Sequence, residues 1–272
     1  MIRTILKPPY PGVPKPFPRP RPKRLPKRKV PMTLVAAFRR QNGGIIFCAD
    51  REENDGISKR EVEKIYPIKL QKDRLPIGNL FLSGAGPSSV VIRACADIES
   101  RMLGAISDGR NIDGEHQAII ESVLSRIQRN YKPNLKGSYL DMLIVYVPFP
   151  ESDRHMPILY RTEYALLEPV PYYTAQGSGK SFCDYFADRL YKDGLLDDPS
   201  LVTVATFIFR EAEKYLHGIG FGTDMYIVGG KSIWQRIGKG LVKDFADTIP
   251  PLSETLWENW KQNVKAPDWL DK

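Results

Sequence analysis

Histidine and cysteine are scarce in this chain of 272 residues, which contains only three of each. The cysteines lie far apart in sequence, at Cys48, Cys95 and Cys183. This spacing excludes a Cys-x-x-Cys metal motif and predicts reduced thiols in a core, without a disulfide framework. The histidines have no ligand spacing to one another or to a cysteine: they are His116, His155 and His217. We therefore expect neither a metal site nor a cofactor.

Long apolar runs are also missing. No stretch approaches the roughly 18 consecutive apolar residues that a membrane span needs. The first residues reach a series of prolines before any apolar segment of a secretory signal can form. We expect a cytoplasmic protein without a membrane partner. Apolar residues make up 42% of the chain, enough for one full domain core.

Acidic side chains are absent from residues 1–32, which hold ten Lys or Arg and ten Pro. The remaining 240 residues carry 30 basic and 32 acidic side chains. Residues 1–32 therefore contribute +10 to the net charge of +8, and the rest of the chain contributes −2. A charged, proline-rich segment cannot bury enough apolar area to offset its ordering entropy. We predict a disordered tail over 1–32 and one domain over 33–272.

The role of this tail stays open at the level of sequence. A basic arm for nucleic acid or another acidic partner, a proline-rich ligand and a propeptide all fit its composition. An upstream start codon, which adds residues that are not part of the working protein, fits equally well. Nucleic acid binding is not expected elsewhere in the chain.

The body alternates between blocks of strands and blocks of helices. The turn Gln41-Asn-Gly-Gly joins two β-rich runs, 33–40 and 44–50, as a hairpin. The other predicted strands are 61–70, 79–83, 139–147, 156–163, a short run near 172, 225–228 and 233–237. The predicted helices are 87–103, 113–131, 181–192 and 201–216. Strands and helices in separate blocks predict an α+β fold in which helix pairs cover two packed antiparallel sheets.

Three short segments then carry a family resemblance. Thr33-Leu-Val-Ala-Ala-Phe, Gly44-Ile-Ile-Phe-Cys-Ala-Asp50 and Ser58-Lys-Arg-Glu-Val-Glu-Lys64 resemble the opening of proteasome β subunits. The same segments look like those of bacterial proteasome-related peptidases. Phe81-Leu-Ser-Gly84-Ala-Gly86 and Tyr173-Thr-Ala-Gln-Gly-Ser178-Gly resemble two later turns of that family. The resemblance covers most of residues 33–230.

This resemblance implies the N-terminal-nucleophile (Ntn) hydrolase fold, a four-layer α-β-β-α sandwich, and a threonine-type peptidase. Thr33 would be the nucleophile, because a terminal α-amine with a pKa near 8 can take the hydroxyl proton. Lys64 would stabilise the alkoxide and Asp50 would compensate the charge of Lys64. The Gly84 N–H would form the oxyanion site, and Ser178 would hydrogen-bond the amine.

Two departures from the family pattern leave alternatives open. Val30-Pro-Met32 precedes Thr33 where self-cleaving propeptides have glycine, although removal of Met32 from a chain that begins there would also free Thr33. The region Tyr215–Gly218 offers no match to a later aspartate of the family. A catalytically silent structural subunit and an interaction protein that uses its basic tail therefore remain alternatives. The resemblance also implies a homo-oligomeric ring, a peptide or protein substrate, and an unfoldase as a possible partner.

Overall fold

The structure is a computed structural model that describes residues 33–54, 58–131, 140–149, 156–191, 196–229 and 234–248. The stretch 1–32, predicted to be disordered, lies outside the described residues. His155 and the tryptophan-rich region after 248 lie outside them as well.

Within these ranges the chain forms strands and helices in alternating blocks, as an α+β protein does. The strands are β1 (Val35–Arg39), β2 (Ile45–Asp50), β3 (Glu52–Asn54), β4 (Lys59–Glu61), β5 (Tyr66–Lys72), β6 (Leu75–Ala85), β7 (Asp141–Pro148), β8 (Ile158–Glu163), β9 (Leu166–Pro169), β10 (Tyr173–Gln176), β11 (Thr223–Val228) and β12 (Trp234–Ile237). The helices are α1 (Ser88–Ser107), α2 (Ile112–Tyr131), α3 (Lys180–Leu190), α4 (Asp198–Tyr215) and α5 (Lys239–Thr248).

The strands form two five-stranded antiparallel sheets and one small two-stranded sheet. The first sheet has the order β10-β1-β2-β11-β12, the second has the order β5-β6-β7-β8-β9, and β3 pairs with β4. The predicted hairpin over 41–44 is confirmed. Its turn is closed by the Arg40 N–H, which donates to Gly44 O at 2.7 Å, and Gly43 adopts a φ of +82° that favours glycine.

Three apolar clusters hold these elements together. One contains side chains from both five-stranded sheets, such as Phe47 of β2 and Leu143 of β7. A second joins the second sheet to α1 and α2, and a third joins the first sheet to α3 and α4. The α+β class and the antiparallel sheets are thus confirmed, whereas the four-layer sandwich stays a prediction. No helix in the described ranges is long and apolar enough to cross a membrane.

The prediction of one strand over 61–70 is wrong. Its first residue ends β4 in the small sheet, its last residues belong to β5 in the second sheet, and 62–65 cross between them. The alternation of apolar and polar residues does not reveal a change of pairing partner. The hairpin of β5 and β6 is long, with left-handed backbone at Asp73 and Arg74 in its turn.

The strand ends of the first sheet meet at one edge. Val35 of β1 lies between Ala49 of β2 and Gln176 of β10. The residue before β1, the end of β2 and the turn after β10 therefore come together. This edge gathers several of the side chains that the sequence singled out.

Candidate active site

Thr33 lies two residues before β1 and is only 9% exposed. Its carbonyl oxygen accepts a hydrogen bond from the Gly179 N–H at 3.2 Å, and its own N–H donates to Ser178 Oγ at 3.1 Å. In this chain that nitrogen belongs to a peptide bond, because Met32 precedes it. Both backbone groups of Thr33 are thus held by the turn between β10 and α3.

Asp50 is the last residue of β2 and is 1% exposed. Its two carboxylate oxygens accept from the Leu34 N–H at 2.8 Å and the Glu52 N–H at 3.1 Å. Burial raises the pKa of the Asp50 carboxyl above its usual value, and the ammonium of Lys64 and the two N–H donors oppose this rise. The backbone around Thr33 and the Asp50 side chain fix each other in place.

Lys64 reaches this carboxylate from the segment between β4 and β5. Its Nζ lies 2.9 Å from both oxygens of Asp50, 2.6 Å from the backbone oxygen of Glu52 and 3.1 Å from Thr33 Oγ1. An ammonium has three protons to donate, so these three groups use its full capacity. Because Thr33 Oγ1 accepts from Lys64, the hydroxyl proton of Thr33 is directed elsewhere and can pass to a base.

Ser178 lies in the turn between β10 and α3, beside Gly177. Gly177 has a φ of +94°, and a Cβ on it would lie 2.2 Å from the Thr33 carbonyl oxygen. The same Cβ would lie 3.2 Å from Cβ of Ala85, at the end of β6. Only glycine therefore allows this turn to contact both Thr33 and the second sheet.

Gly84 lies in β6 opposite Met142 of β7. The Met142 N–H donates to Thr162 Oγ1 of β8 at 2.8 Å, so the peptide of Met142 faces away from β6. In an antiparallel pair, Gly84 then also directs its N–H away from β7. On that side β6 pairs with β5, and the pairing ends at Tyr66 opposite Leu82. If the same register continued for two more residues, Gly84 would lie opposite Lys64.

Four of the five residues singled out by the sequence are therefore joined by hydrogen bonds, namely Thr33, Asp50, Lys64 and Ser178. Gly84 lies at the edge of this group. The sequence did not point to Glu52, whose backbone carbonyl holds Lys64, because a backbone contact leaves no signal in residue type. Gly177 did leave a signal in the sequence, because a glycine before Ser178, between a predicted strand and a predicted helix, indicates a left-handed turn.

The two histidines in the described ranges and the three cysteines take no part in this site. The ring of His116 stacks on Tyr146 at 4.1 Å between centroids, and its Nε2 lies 2.9 Å from the Tyr160 hydroxyl. His217 is exposed in the loop after α4. The three cysteines are buried and free. In the part of the chain that the structure describes, no three His, Cys, Asp or Glu side chains are grouped to hold a metal ion.

No family model matches the chain, and no curated protein matches it. Solved structures do match. Anbu from Yersinia bercovieri, described as an ancestral beta-subunit, has a TM-score of 0.68 at 13% identity over 87% of this chain and 100% of that one. Anbu from Hyphomicrobium sp. strain MC1 has a TM-score of 0.66 at 13% identity over 87% and 100%. The Anbu complex of Pseudomonas aeruginosa, described as a helical assembly, has a TM-score of 0.64 at 14% identity over 87% and 99%.

Identities this low show a shared fold alone. That fold is the one of the Anbu structures, one of which is described as an ancestral beta-subunit. The Anbu proteins nevertheless form a family distinct from the proteasome β subunits. The resemblance inferred from the sequence, to proteasome β subunits and close to bacterial proteasome-related peptidases, is therefore wrong. Short motifs around a threonine, an aspartate and a lysine do not separate families that share one fold.

Proposed function

We propose that this chain is a threonine-type amide hydrolase that cleaves peptides or proteins, with Thr33 as an N-terminal nucleophile in a four-layer Ntn fold. The observation that supports it most directly is the 3.1 Å hydrogen bond from Lys64 Nζ to Thr33 Oγ1, in a site that Asp50 neutralises. A partly buried lysine beside a hydroxyl is suited to stabilising the alkoxide that forms during attack.

The reaction would proceed through an ester on Thr33. The hydroxyl oxygen attacks the substrate carbonyl while its proton passes to the α-amine of Thr33, directly or through water. The N–H of Gly84 stabilises the resulting oxyanion, and Ser178 hydrogen-bonds the amine. When the tetrahedral intermediate collapses, the ammonium returns the proton to the leaving amine. Water then hydrolyses the ester with the same amine as base.

This chemistry requires a free α-amine on Thr33, since the nitrogen of a peptide bond is not a base. Cleavage between Met32 and Thr33 would supply the amine. A chain that begins at Met32 and then loses its methionine would supply it as well.

The buried, free cysteines fit a reducing compartment such as the cytoplasm.

Self-assembly belongs to the same proposal. The Pseudomonas aeruginosa neighbour is described as a helical assembly, and this chain exposes large apolar side chains on its helices. These are Ile92 and Leu103 on α1, Tyr185 and Leu190 on α3, Tyr215 on α4, and Leu241 on α5. We expect sedimentation to give a particle several times heavier than the 30.9 kDa chain. A monomer over a wide concentration range would contradict self-assembly.

The test of function uses a gene that begins at Met32. Intact-mass measurement should show that the methionine is removed, and the protein should hydrolyse peptides and be labelled by an electrophile that captures N-terminal threonine. Thr33→Ala should abolish both, whereas Thr33→Ser should retain measurable activity. If this shorter chain is insoluble while the full chain is stable, the domain boundary at 33 is wrong.

A silent structural subunit is the second candidate, because Met32 blocks the amine in the full chain. Undiminished hydrolysis by a folded Thr33→Ala variant would exclude Thr33 as nucleophile. If the protein from its native host keeps residues 1–32 and does not hydrolyse peptides, the silent role is correct. Salt-sensitive binding that is lost on deletion of 1–32 would instead support an interaction protein.

A further inference from the structure

A second ionic cluster lies directly beside the Asp50–Lys64 pair and includes the residue next to each of them in the chain, Arg51 and Glu63. Arg51 follows Asp50 and is 9% exposed. Its guanidinium donates to Glu61 Oε1 at 2.9 Å and to the carboxylate of Asp224, a residue of β11 that is 3% exposed. One oxygen of Asp224 is buried without a hydrogen-bond partner, so this carboxylate depends strongly on its cationic neighbours.

Two further side chains extend the cluster to the residue before Lys64. Glu63 Oε1 lies 4.0 Å from Arg51 Nη1 and accepts from Arg236 Nη2 at 2.5 Å. Arg236, in β12, also donates to Asp224 at 3.0 Å. Arg51 therefore contacts two acidic residues of the segment that carries Lys64, Glu61 and Glu63, as well as Asp224 of β11.

Glu61 at the start of this segment pairs with Glu52, and Ile65 after it is buried in the cluster between the two large sheets. Residues 62–65 belong to no strand, and the Val62 N–H donates to Arg51 O at 2.9 Å. Successive residues of extended chain point to opposite faces. Asp50 and Lys64 thus pair on one face while Arg51 and Glu63 approach each other on the other. Ionic contacts on both faces therefore hold residues 50–51 next to residues 63–64.

We propose that Arg51 is a positioning residue, one that holds the 61–64 segment so that Lys64 Nζ stays within hydrogen-bond distance of Thr33 Oγ1. The catalytic part of this inference rests on the proposed function. Without Arg51, Asp224, Glu61 and Glu63 lose a cation that they share, and the segment that carries Lys64 can move away from Thr33. The amine of Thr33 then loses a neighbouring positive charge, and its pKa rises.

The test compares Arg51→Met with Arg40→Met in the chain that begins at Met32. Arg40 is a matched control, since it is similarly buried and bonds Asp198 and the Gly229 carbonyl away from the site. Both variants should lose stability to urea. Only Arg51→Met should lower kcat, by about tenfold to a hundredfold with little change in KM, and move the acid limb of kcat/KM to higher pH. Arg51→Lys keeps the charge and should restore the acid limb in part.

A crystal structure of Arg51→Met gives a readout that does not need activity. We expect the separation of Lys64 Nζ from Thr33 Oγ1 to exceed about 3.5 Å, the limit for a hydrogen bond. Unchanged pH dependence with Lys64 in place would overturn the proposal. If the parent protein is inactive, the proposed function fails. The separation of Lys64 Nζ from Thr33 Oγ1 in the Arg51→Met structure then decides by itself whether Arg51 positions Lys64. If Arg51→Met does not fold, Glu63→Gln, at an exposed side chain, replaces it in the same comparison.

Discussion

Lys64 and Asp50 form an ion pair in which the ammonium nitrogen lies 2.9 Å from both carboxylate oxygens, with side-chain exposures of 12% and 1%. The pair also ties the segment after β4 to the end of β2. Removal of one partner leaves the other charge buried and uncompensated, at a cost larger than that of a surface pair. The stability of the fold and the geometry around Thr33 therefore depend on the same contact.

We predict that Asp50→Leu lowers the free energy of unfolding by about 3–5 kcal/mol, because it leaves the Lys64 ammonium without its carboxylate. The double variant Asp50→Leu/Lys64→Met removes both charges and should regain much of this loss. Urea unfolding of the parent, both single variants and the double variant measures the coupling. Additive losses in the double variant would show that the two side chains contribute independently.

Lys64→Met should reduce kcat by about 10²–10³, the loss seen when one preorganised donor to a developing oxyanion is removed. Combined with Thr33→Ala it should cause no further loss, since residues that act as one unit are not additive. Peptide hydrolysis by both single variants and the double variant checks this. A Lys64→Met enzyme with unchanged kcat and the native fold would exclude a role for the ammonium in the reaction.

His116 should make the stability depend on pH. Burial lowers the pKa of His116, while the Ile112 and Asp113 carbonyls, which accept from its Nδ1–H, oppose that shift. The unfolded chain then binds a proton before the folded chain does, so stability falls as pH drops through about 6.5. Urea unfolding between pH 8 and 5 should show this fall in the parent and a smaller one in His116→Phe, whose ring can still stack on Tyr146.

The sequence predicts those parts of the fold that local signals determine. The turn over 41–44 and the apolar spacing of α1 to α4 sufficed to identify the hairpin and the helices. Thr33, Asp50 and Lys64 could be chosen together because their segments resemble the opening of proteasome β subunits, and because a hydroxyl, a carboxylate and an ammonium suit one chemistry. The hairpin and the helices depend on residues that are near each other in the chain.

What the sequence could not predict depends on distant partners. The crossing at 62–65 looks like strand because Val62 and Ile65 fit an apolar pattern, yet β4 and β5 pair in different sheets. The short β9 and the helix α5, which contains Gly240, carry weak local signals. The ionic contacts of Arg51 with Asp224 join residues far apart in sequence, and no local pattern announces such a pair.

The contact of Gly177 with Thr33 leads to the last prediction. A Cβ at Gly177 would lie 2.2 Å from the Thr33 carbonyl oxygen, at a φ of +94° that strains any other residue. We expect Gly177→Ala to displace Thr33 from Ser178 and Lys64, which lowers kcat at least tenfold and destabilises the fold by about 1 kcal/mol or more. Gly104 in α1 is the matched control, because its Cβ would meet nothing within 4 Å. Gly104→Ala should retain kcat and stabilise by about 0.5–1 kcal/mol. Hydrolysis and urea unfolding of both variants measure the contrast, and equal kcat values for the two would mean that the turn tolerates a side chain beside Thr33.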